Sequence, residues 1–207
     1  MHVDGYDGYA PICNKNEITR LGCWANVRRK IFGDFKSSQG SSIGKQGIVF
    51  IKKLYKIEDK IRGKHPEEKF YHRSKESIAI TNEFKIWIDE KIVKTPPKSM
   101  AGKALTYVSN EWEYLINCFS VGECEIDNNF IEAHIRPFTI GRKNWMFSAT
   151  ENGARASANL YSLIETAKAN GKNPFEYLTE VFKKLPMAQT EQDFLELLPI
   201  KVRGQKE

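Results

Sequence analysis

From Ile48 to Phe119 apolar side chains recur at helical spacing with few interruptions, and this rhythm limits the middle of the chain to packed helices. Ile48, Ile51, Leu54, Tyr55 and Ile61 trace one stripe that ends at Gly63. Pro66 with Glu67 and Glu68 opens a second helix, because proline suits a first helical turn and carboxylates suit the positive end of the dipole. Its stripe takes in Phe70, Ile80, Phe84, Trp87 and Ile88, and Pro96-Pro97 ends it. Ser99 then caps a third helix that turns Leu105, Val108, Trp112, Leu115 and Phe119 inward and stops near Gly122. Three long helices between about residues 48 and 121 predict a bundle-like insertion.

The flanks read differently. The opening Met1 to Ala10 carries two Asp-Gly dipeptides with aromatics behind them, the pattern of a strand end entering a tight turn, with no earlier strand to pair with. Leu21 to Trp24 reads as a second short strand or a loop. Trp24, Val27, Ile31 and Phe35 then fall at helical spacing with Arg28, Arg29 and Lys30 largely opposite, which predicts a basic amphipathic helix. Ser37 to Gly47 is rich in Ser and Gly and predicts a flexible linker. Near the other end, a helix over about 152–169 should bury Ala158, Tyr161, Ile164 and Ala167 and stop at Asn170-Gly171. Asn173-Pro174 begins the next, with Tyr177, Leu178, Val181 and Leu185 inward, and Thr190 caps a last short helix with Phe194, Leu197 and Leu198. The first two form a packing hairpin rather than a DNA-reading pair, since Glu176 and Glu180 precede any lysine on the second.

Composition narrows the function classes. With 207 residues, 41% hydrophobic and 28% charged, the chain has enough apolar material for one ordinary core or two small ones. No apolar run reaches the roughly 18–20 residues of a membrane span, and the start lacks a basic-then-apolar signal, so a soluble, cytoplasmic protein is expected. Cys13, Cys23, Cys118 and Cys124 form no CxxC pair, and the four histidines are scattered, so no zinc or redox motif is written here. The net charge of +6 is concentrated: residues 1–64 hold 13 Lys and Arg against 6 Asp and Glu, whereas residues 65–126 hold 8 against 10. A localised positive face suits a polyanion such as DNA.

The densest chemistry lies at Asp127 to Phe147. Asp127 stands where a helix cap belongs, Phe130, Ile131 and Ile135 should pack inward, and Arg136-Pro137 should end the helix. Asn128 and Asn129 are poor helix formers for a first turn. Gly141-Arg142-Lys143-Asn144-Trp145-Met146-Phe147 then interleaves cations with aromatics, a pattern that contacts phosphates and stacks on bases, although Trp145 itself reads rather as core.

Taken together, Asp-Asn-Asn-x-x-Glu, Ile-Arg-Pro, Gly-Arg-Lys-Asn-Trp-x-Phe and Ser-Leu-Ile-Glu-Thr-Ala-Lys-Ala-Asn-Gly-x-Asn-Pro, within residues 127–174, resemble the insertion sequence sixty-six family of bacterial DDE transposases. The likeness extends to Val3-Asp4-Gly5-Tyr6, to Cys23-Trp24-Ala25 with Arg28-Arg29-Lys30, and to Leu197-Leu198-Pro199. The resemblance implies an α+β, predominantly α fold: an incomplete ribonuclease H-like core over residues 1–150, interrupted by the helical insertion, then a small helical C-terminal domain over 151–200 and a tail over 201–207. It also implies three acidic residues holding two magnesium ions for DNA strand cleavage and transfer. Such in-line displacements at phosphorus use paired metals to activate the attacking oxygen and stabilise the leaving one. Position by position, Asp4 matches the second acid, with Asp7 its near competitor, and Glu132 matches the third. Arg28, Arg29, Lys30, Arg136, Arg142, Lys143 and Asn144 are the expected DNA contacts.

Two departures qualify the resemblance. The family's first acid sits in an Asp-Glu-Thr motif upstream of the Asp-Gly-Tyr strand, and no Asp-Glu-Thr occurs in these residues. The chain is therefore expected to be a truncated copy, inactive alone, with Asp4 projecting from an unpaired edge. Its expected partners are transposon-end DNA and a full-length transposase or an upstream fragment, with no membrane. Asn26 stands where family members commonly have His. A non-catalytic DNA-binding regulator derived from a transposase and a poorly folded remnant are the competing expectations.

Overall fold

A computed structural model describes residues 1–37 and 42–200. It divides into two compact units, Met1–Phe130 and Ile131–Glu207. The predominance of helix expected from the sequence is what the structure has. Among the described residues the β-type pairing is an isolated parallel bridge between His2 and Leu21.

In the first unit, Val3 N–H donates to the Leu21 carbonyl at 3.1 Å and Leu21 N–H to the Met1 carbonyl at 2.8 Å. The opening segment thus finds its partner downstream, and the expected unpaired edge is corrected. A short 3-10 turn over Asp7–Tyr9 leads into α1 (Ala10–Lys15). Helix α2 (Trp24–Ser37) follows and buries Trp24, Val27 and Ile31 as its spacing predicts.

Helix α3 (Ser42–Ile61) begins earlier than its stripe suggested. Of the expected flexible linker, residues 38–41 lie outside the described residues, while Ser42 to Gly47 are helical. The glycines there serve close packing: a Cβ on Gly44 would stand 2.8 Å from the Phe35 backbone nitrogen, and one on Gly47 2.9 Å from the Ile31 side chain. They let α3 lie against α2, a use of glycine that composition alone cannot separate from a linker.

Helix α4 (Pro66–His72) continues through a π turn at Arg73–Ser77 into α5 (Ile78–Ile92). Phe70, expected inside, is exposed. The buried face there is Arg73, Ser77 and Thr81, because Arg73 meets Glu58 of α3 and is better satisfied inside than a phenyl ring would be. Helices α6 (Met100–Asn110, capped by the Ser99 hydroxyl) and α7 (Trp112–Asn117) complete the body. One core joins Trp24, Leu54, Phe84, Ile88, Leu105, Val108, Leu115, Phe119 and Ile126. The helices of 48–121 share this core with α2.

Helix α8 (Asn129–Trp145) crosses into the second unit and runs through Pro137, where a stop was expected. Proline removes one N–H, and here the helix resumes beyond it, with the Thr139 hydroxyl donating to the Arg136 carbonyl at 2.9 Å. None of its residues is buried, and Phe130, Ile131 and Ile135, expected inward, are exposed. In the second unit α9 (Glu151–Ala169) starts at a Thr150 cap, α10 (Pro174–Lys184) at an Asn173 cap and α11 (Glu191–Glu196) at a Thr190 capping box with Asp193. The Asn173 and Thr190 caps stand where the sequence put them. Ala167 and Tyr177 are buried as expected, α10 contacts α9, and the Tyr177 hydroxyl ties α10 to the end of α11 by donating to the Leu197 carbonyl at 2.9 Å. Ala158 and Leu185, also expected inward, are exposed.

Candidate functional site

Asp4 lies just beyond the bridge, on backbone that is firmly held although its carboxylate is exposed. Arg20 Nη2 donates to the Asp4 carbonyl at 2.9 Å and to Glu111 Oε2 at 2.9 Å, and its guanidinium lies 4.1 Å from the centre of the Tyr114 ring. Both partners of the Arg20–Glu111 pair are buried, so the anchor is shielded from solvent. On the far side, a Cβ on Gly5 would meet the Tyr107 ring at 2.8 Å, so the chain passes tightly over α6. Asp4 Oδ1 accepts from the Tyr6 amide at 3.2 Å, and the hydroxyl of Tyr107 is pushed up to about 12 by burial first and by the charges of Glu111 and Asp4 after it.

The segment Ile126 to Asn129 docks on the start of α2. Trp24 N–H donates to the Ile126 carbonyl at 3.0 Å, and the Trp24 indole donates to the Leu115 carbonyl at 3.1 Å. Asp127 stands two residues before α8, one short of the cap position expected for it, its Oδ1 accepting from the Asn129 amide at 3.2 Å. Its Oδ2 accepts from the Tyr55 hydroxyl at 2.8 Å. Burial and then the Asp127 charge raise the Tyr55 hydroxyl well above its ordinary value, so Tyr55 acts as a donor at any working pH. Burial also lowers His2 and raises the Cys23 thiol, so both are neutral at pH 7 beside this carboxylate.

The three cations Arg28, Arg29 and Lys30 diverge, as consecutive residues about 100° apart on a helix must. Arg29 bridges Asn26 and Asn129, donating to Asn129 Oδ1 at 2.9 Å. Arg28 lies 5.6 Å from the Tyr55 ring centre, and Lys30 turns to the other side, 4.6 Å from the Tyr107 ring centre. Arg28 and Arg29 thus flank the Asp127–Asn129 turn, while Lys30 keeps the company of the residues around Asp4.

In the second unit, Glu132 is half-buried in the first turn of α8, and Arg136, Arg142, Lys143 and Asn144 are exposed along it. Trp145, read as core, is instead 45% exposed while its ring meets Phe138 and Tyr161 edge-on at 5.9 and 5.8 Å. It is anchored on one side and open on the other.

Residues 1–156 match the family described as Transposase IS66 family, and residues 162–200 match its IS66 C-terminal element. The chain belongs to the IS66 transposase family. Among curated relatives it is similar to the uncharacterized proteins y4qI and y4jD of Sinorhizobium fredii (strain NBRC 101917 / NGR234). Identity to y4qI is 32%, over 96% of this chain and 38% of the relative. Identity to y4jD is 28%, over 96% of this chain and 40% of the relative. The chain thus spans about two fifths of the length of the curated relatives it matches. No solved structure matches it.

In this IS66-family chain the residues that the sequence pattern did not reveal are the supports. Tyr55 reads as one apolar position of a stripe, yet it donates to Asp127. Arg20 and Glu111, which hold Asp4, lie 91 residues apart and carry no local signal. Asn26, the departure from the family's histidine, joins Arg29 and Asn129 as an amide. As donors, Asp4 and Glu132 suit a hard cation such as magnesium in kind. Among the described residues no three His, Cys, Asp or Glu side chains are grouped as a metal site. Among the described residues no helix is long and apolar enough to cross a membrane.

Proposed function

We propose that this chain acts on DNA in the transposition of an insertion sequence, binding element ends through the basic face of α2 and the Asp127–Asn129 turn. The observation that carries this reading is the meeting of Arg28 and Arg29 with that turn, where a polar segment and two cations share one surface. Cations that place phosphates, with amides beside them, are the usual means of setting a protein on a DNA backbone. Arg136, Arg142, Lys143 and Asn144 extend the reading to α8 as further DNA contacts.

In this reading Asp4 and Glu132 are two of three carboxylates that would hold magnesium in a ribonuclease H-like core, and the third comes from polypeptide outside these residues. When bound, paired magnesium ions would activate the attacking oxygen and stabilise the leaving one. The chain's own part is to keep Asp4 on the backbone fixed by Arg20 and to present Glu132 on α8.

Binding to duplexes carrying element ends, measured across a salt series, tests the proposal. Affinity should fall with salt at a slope of about −0.9 per phosphate neutralised. Arg28→Glu with Arg29→Glu should weaken binding and flatten that slope. An unchanged affinity in this pair, or no binding at low salt, would sink the reading. Magnesium-dependent cleavage that appears only when a longer family polypeptide is added, and is lost in Asp4→Ala or Glu132→Ala, supports the catalytic part. Binding that survives both substitutions without cleavage under any metal makes the chain a DNA-binding regulator.

A further inference from the structure

A cleft of about 590 Å³ opens between α2 and α3, and its lining is of two kinds. Arg28, Lys45, Lys52 and Lys56 stand around it against one lining carboxylate, Asp59, and that carboxylate is already paired with Arg62 at 2.7 Å. Lys45, Lys52 and Lys56 lie seven and four residues apart on α3, so they follow one face of the helix. Between the cations the wall is apolar and aromatic: Phe32, Phe35, Val49 and the ring of Tyr55. Phe32 and Val49 are exposed, at 43% and 50%, although Trp24, Val27 and Ile31 of α2 are spent on the core.

Neither ordinary explanation accounts for this combination. A solvated charged face does not need exposed phenyl rings set among its lysines, and a packing groove does not need four cations. Like charges gathered at one opening repel unless an anion lies among them. Rings with cations beside them are the means by which proteins hold unpaired nucleic acid, the bases stacking and the phosphates pairing with lysine. The volume lies inside the range of about 300–1,000 Å³ common to small-ligand sites, which accommodates a base with its sugar and phosphate. A duplex hides its ring faces in the stack and cannot offer them to Phe32. The cleft also continues: Arg28, Phe32 and Tyr55 line a second, smaller one of about 250 Å³ that adds Arg29 and Asn129. Its far end is therefore the first turn of α8.

We propose that the α2–α3 cleft binds an unpaired DNA strand, with phosphates on Lys45, Lys52 and Lys56, a base against Phe32, and the strand running past Arg28 towards Asn129. This rests on the reading above that the chain acts on DNA, and it adds the form of DNA and the surface that takes it. An element end that is opened or frayed would supply such a strand.

Fluorescence anisotropy of the full chain with a labelled single-stranded DNA oligonucleotide, its duplex and its RNA counterpart tests the assignment. Lys52→Glu with Lys56→Glu, both on the cleft face of α3, should weaken single-strand binding at least about tenfold and reduce the salt slope by roughly 1.4, at about 0.7 for each phosphate no longer neutralised. Phe32→Ala should weaken it about five- to a hundredfold, the range for one missing stacking partner, with little change in the salt slope. Circular dichroism confirms that each variant stays folded. Single-strand binding that ignores both variants overturns the cleft while leaving the DNA reading standing. Equal losses on duplex and single strand overturn the preference for unpaired DNA, and tighter binding of RNA overturns DNA as the ligand. Failure to bind any oligonucleotide at low salt overturns both proposals together.

Discussion

Arg73 carries its charge wholly out of solvent, and its setting shows how the body keeps the Asp127 segment in place. Its Nε and Nη2 donate to the two oxygens of Glu58 at 2.9 and 2.6 Å, and Nη1 donates to the carbonyls of Val121 and Cys124 at 2.5 and 2.8 Å. The loop that ends at Ile126 and Asp127 is thus tied to α3 through one guanidinium. Glu58→Ala leaves that charge buried without its counter-ion and should cost about 3–5 kcal/mol in urea unfolding. The same variant should loosen the Asp127–Asn129 turn, read as faster amide exchange at Asn129. A second prediction concerns pH. Burial lowers His2 from its ordinary value of 6.5, while its Nε2 stands 3.0 Å from the Gly22 carbonyl. The folded state therefore prefers neutral His2, and as pH falls below about 6.5 the unfolded chain takes up the proton first. This contribution is fully present above about pH 6.5 and is lost as pH falls towards the lowered folded value. Melting temperature measured from about pH 8 to about pH 5 should decline less in His2→Gln than in the wild type; equal declines would remove His2 as the cause.

At the scale of elements, the contact of α2 with α3 depends on two glycines. Gly44→Ala should gain up to about 1 kcal/mol of helix propensity. Yet its Cβ would meet the nitrogen and Cα of Phe35 at 2.8 and 2.9 Å, and backbone cannot swing aside as a side-chain tip can. Overpacking of this kind costs about 1–3 kcal/mol, so the expected net effect is destabilising, with a lower urea midpoint. A raised midpoint would mean that the two helices can separate without penalty. These glycines also show where sequence reading succeeds and where it stops. The stripes of α3, α5 and α6 and the caps Ser99, Asn173 and Thr190 are local patterns, and they are legible because propensity and packing agree there. Gly44 and Gly47 mislead because a glycine's role depends on what faces it. Phe70 misleads because Arg73 competes for the interior through Glu58, 15 residues away. At the site, the turn at Asp127 that leads into α8 is legible, whereas its donor Tyr55 lies 72 residues away and hides within an apolar stripe.

At the scale of the molecule, burial is distributed unevenly between the two units. The cluster built on Trp24, Phe84 and Leu115 belongs wholly to residues 1–130 and reaches Ile126 just before the Asp127 turn. In residues 131–200 the buried side chains are Ala167, Tyr177 and Pro199, and α8 buries none. Helices with so little buried surface draw on propensity and caps, which seldom hold short segments in water. The first unit separated as residues 1–130 should therefore unfold in one cooperative transition, with coincident signals from tryptophan fluorescence and far-ultraviolet circular dichroism. The separated residues 131–207 should show helical dichroism that fades gradually on heating, with no sigmoidal transition. Adding the 1–130 piece to the 131–207 piece then asks where the second unit obtains its order. Restored cooperativity would show that its exposed residues Ile131 and Ile135 need a covering surface, and a sharp transition in 131–207 alone would show that three buried side chains and good caps suffice.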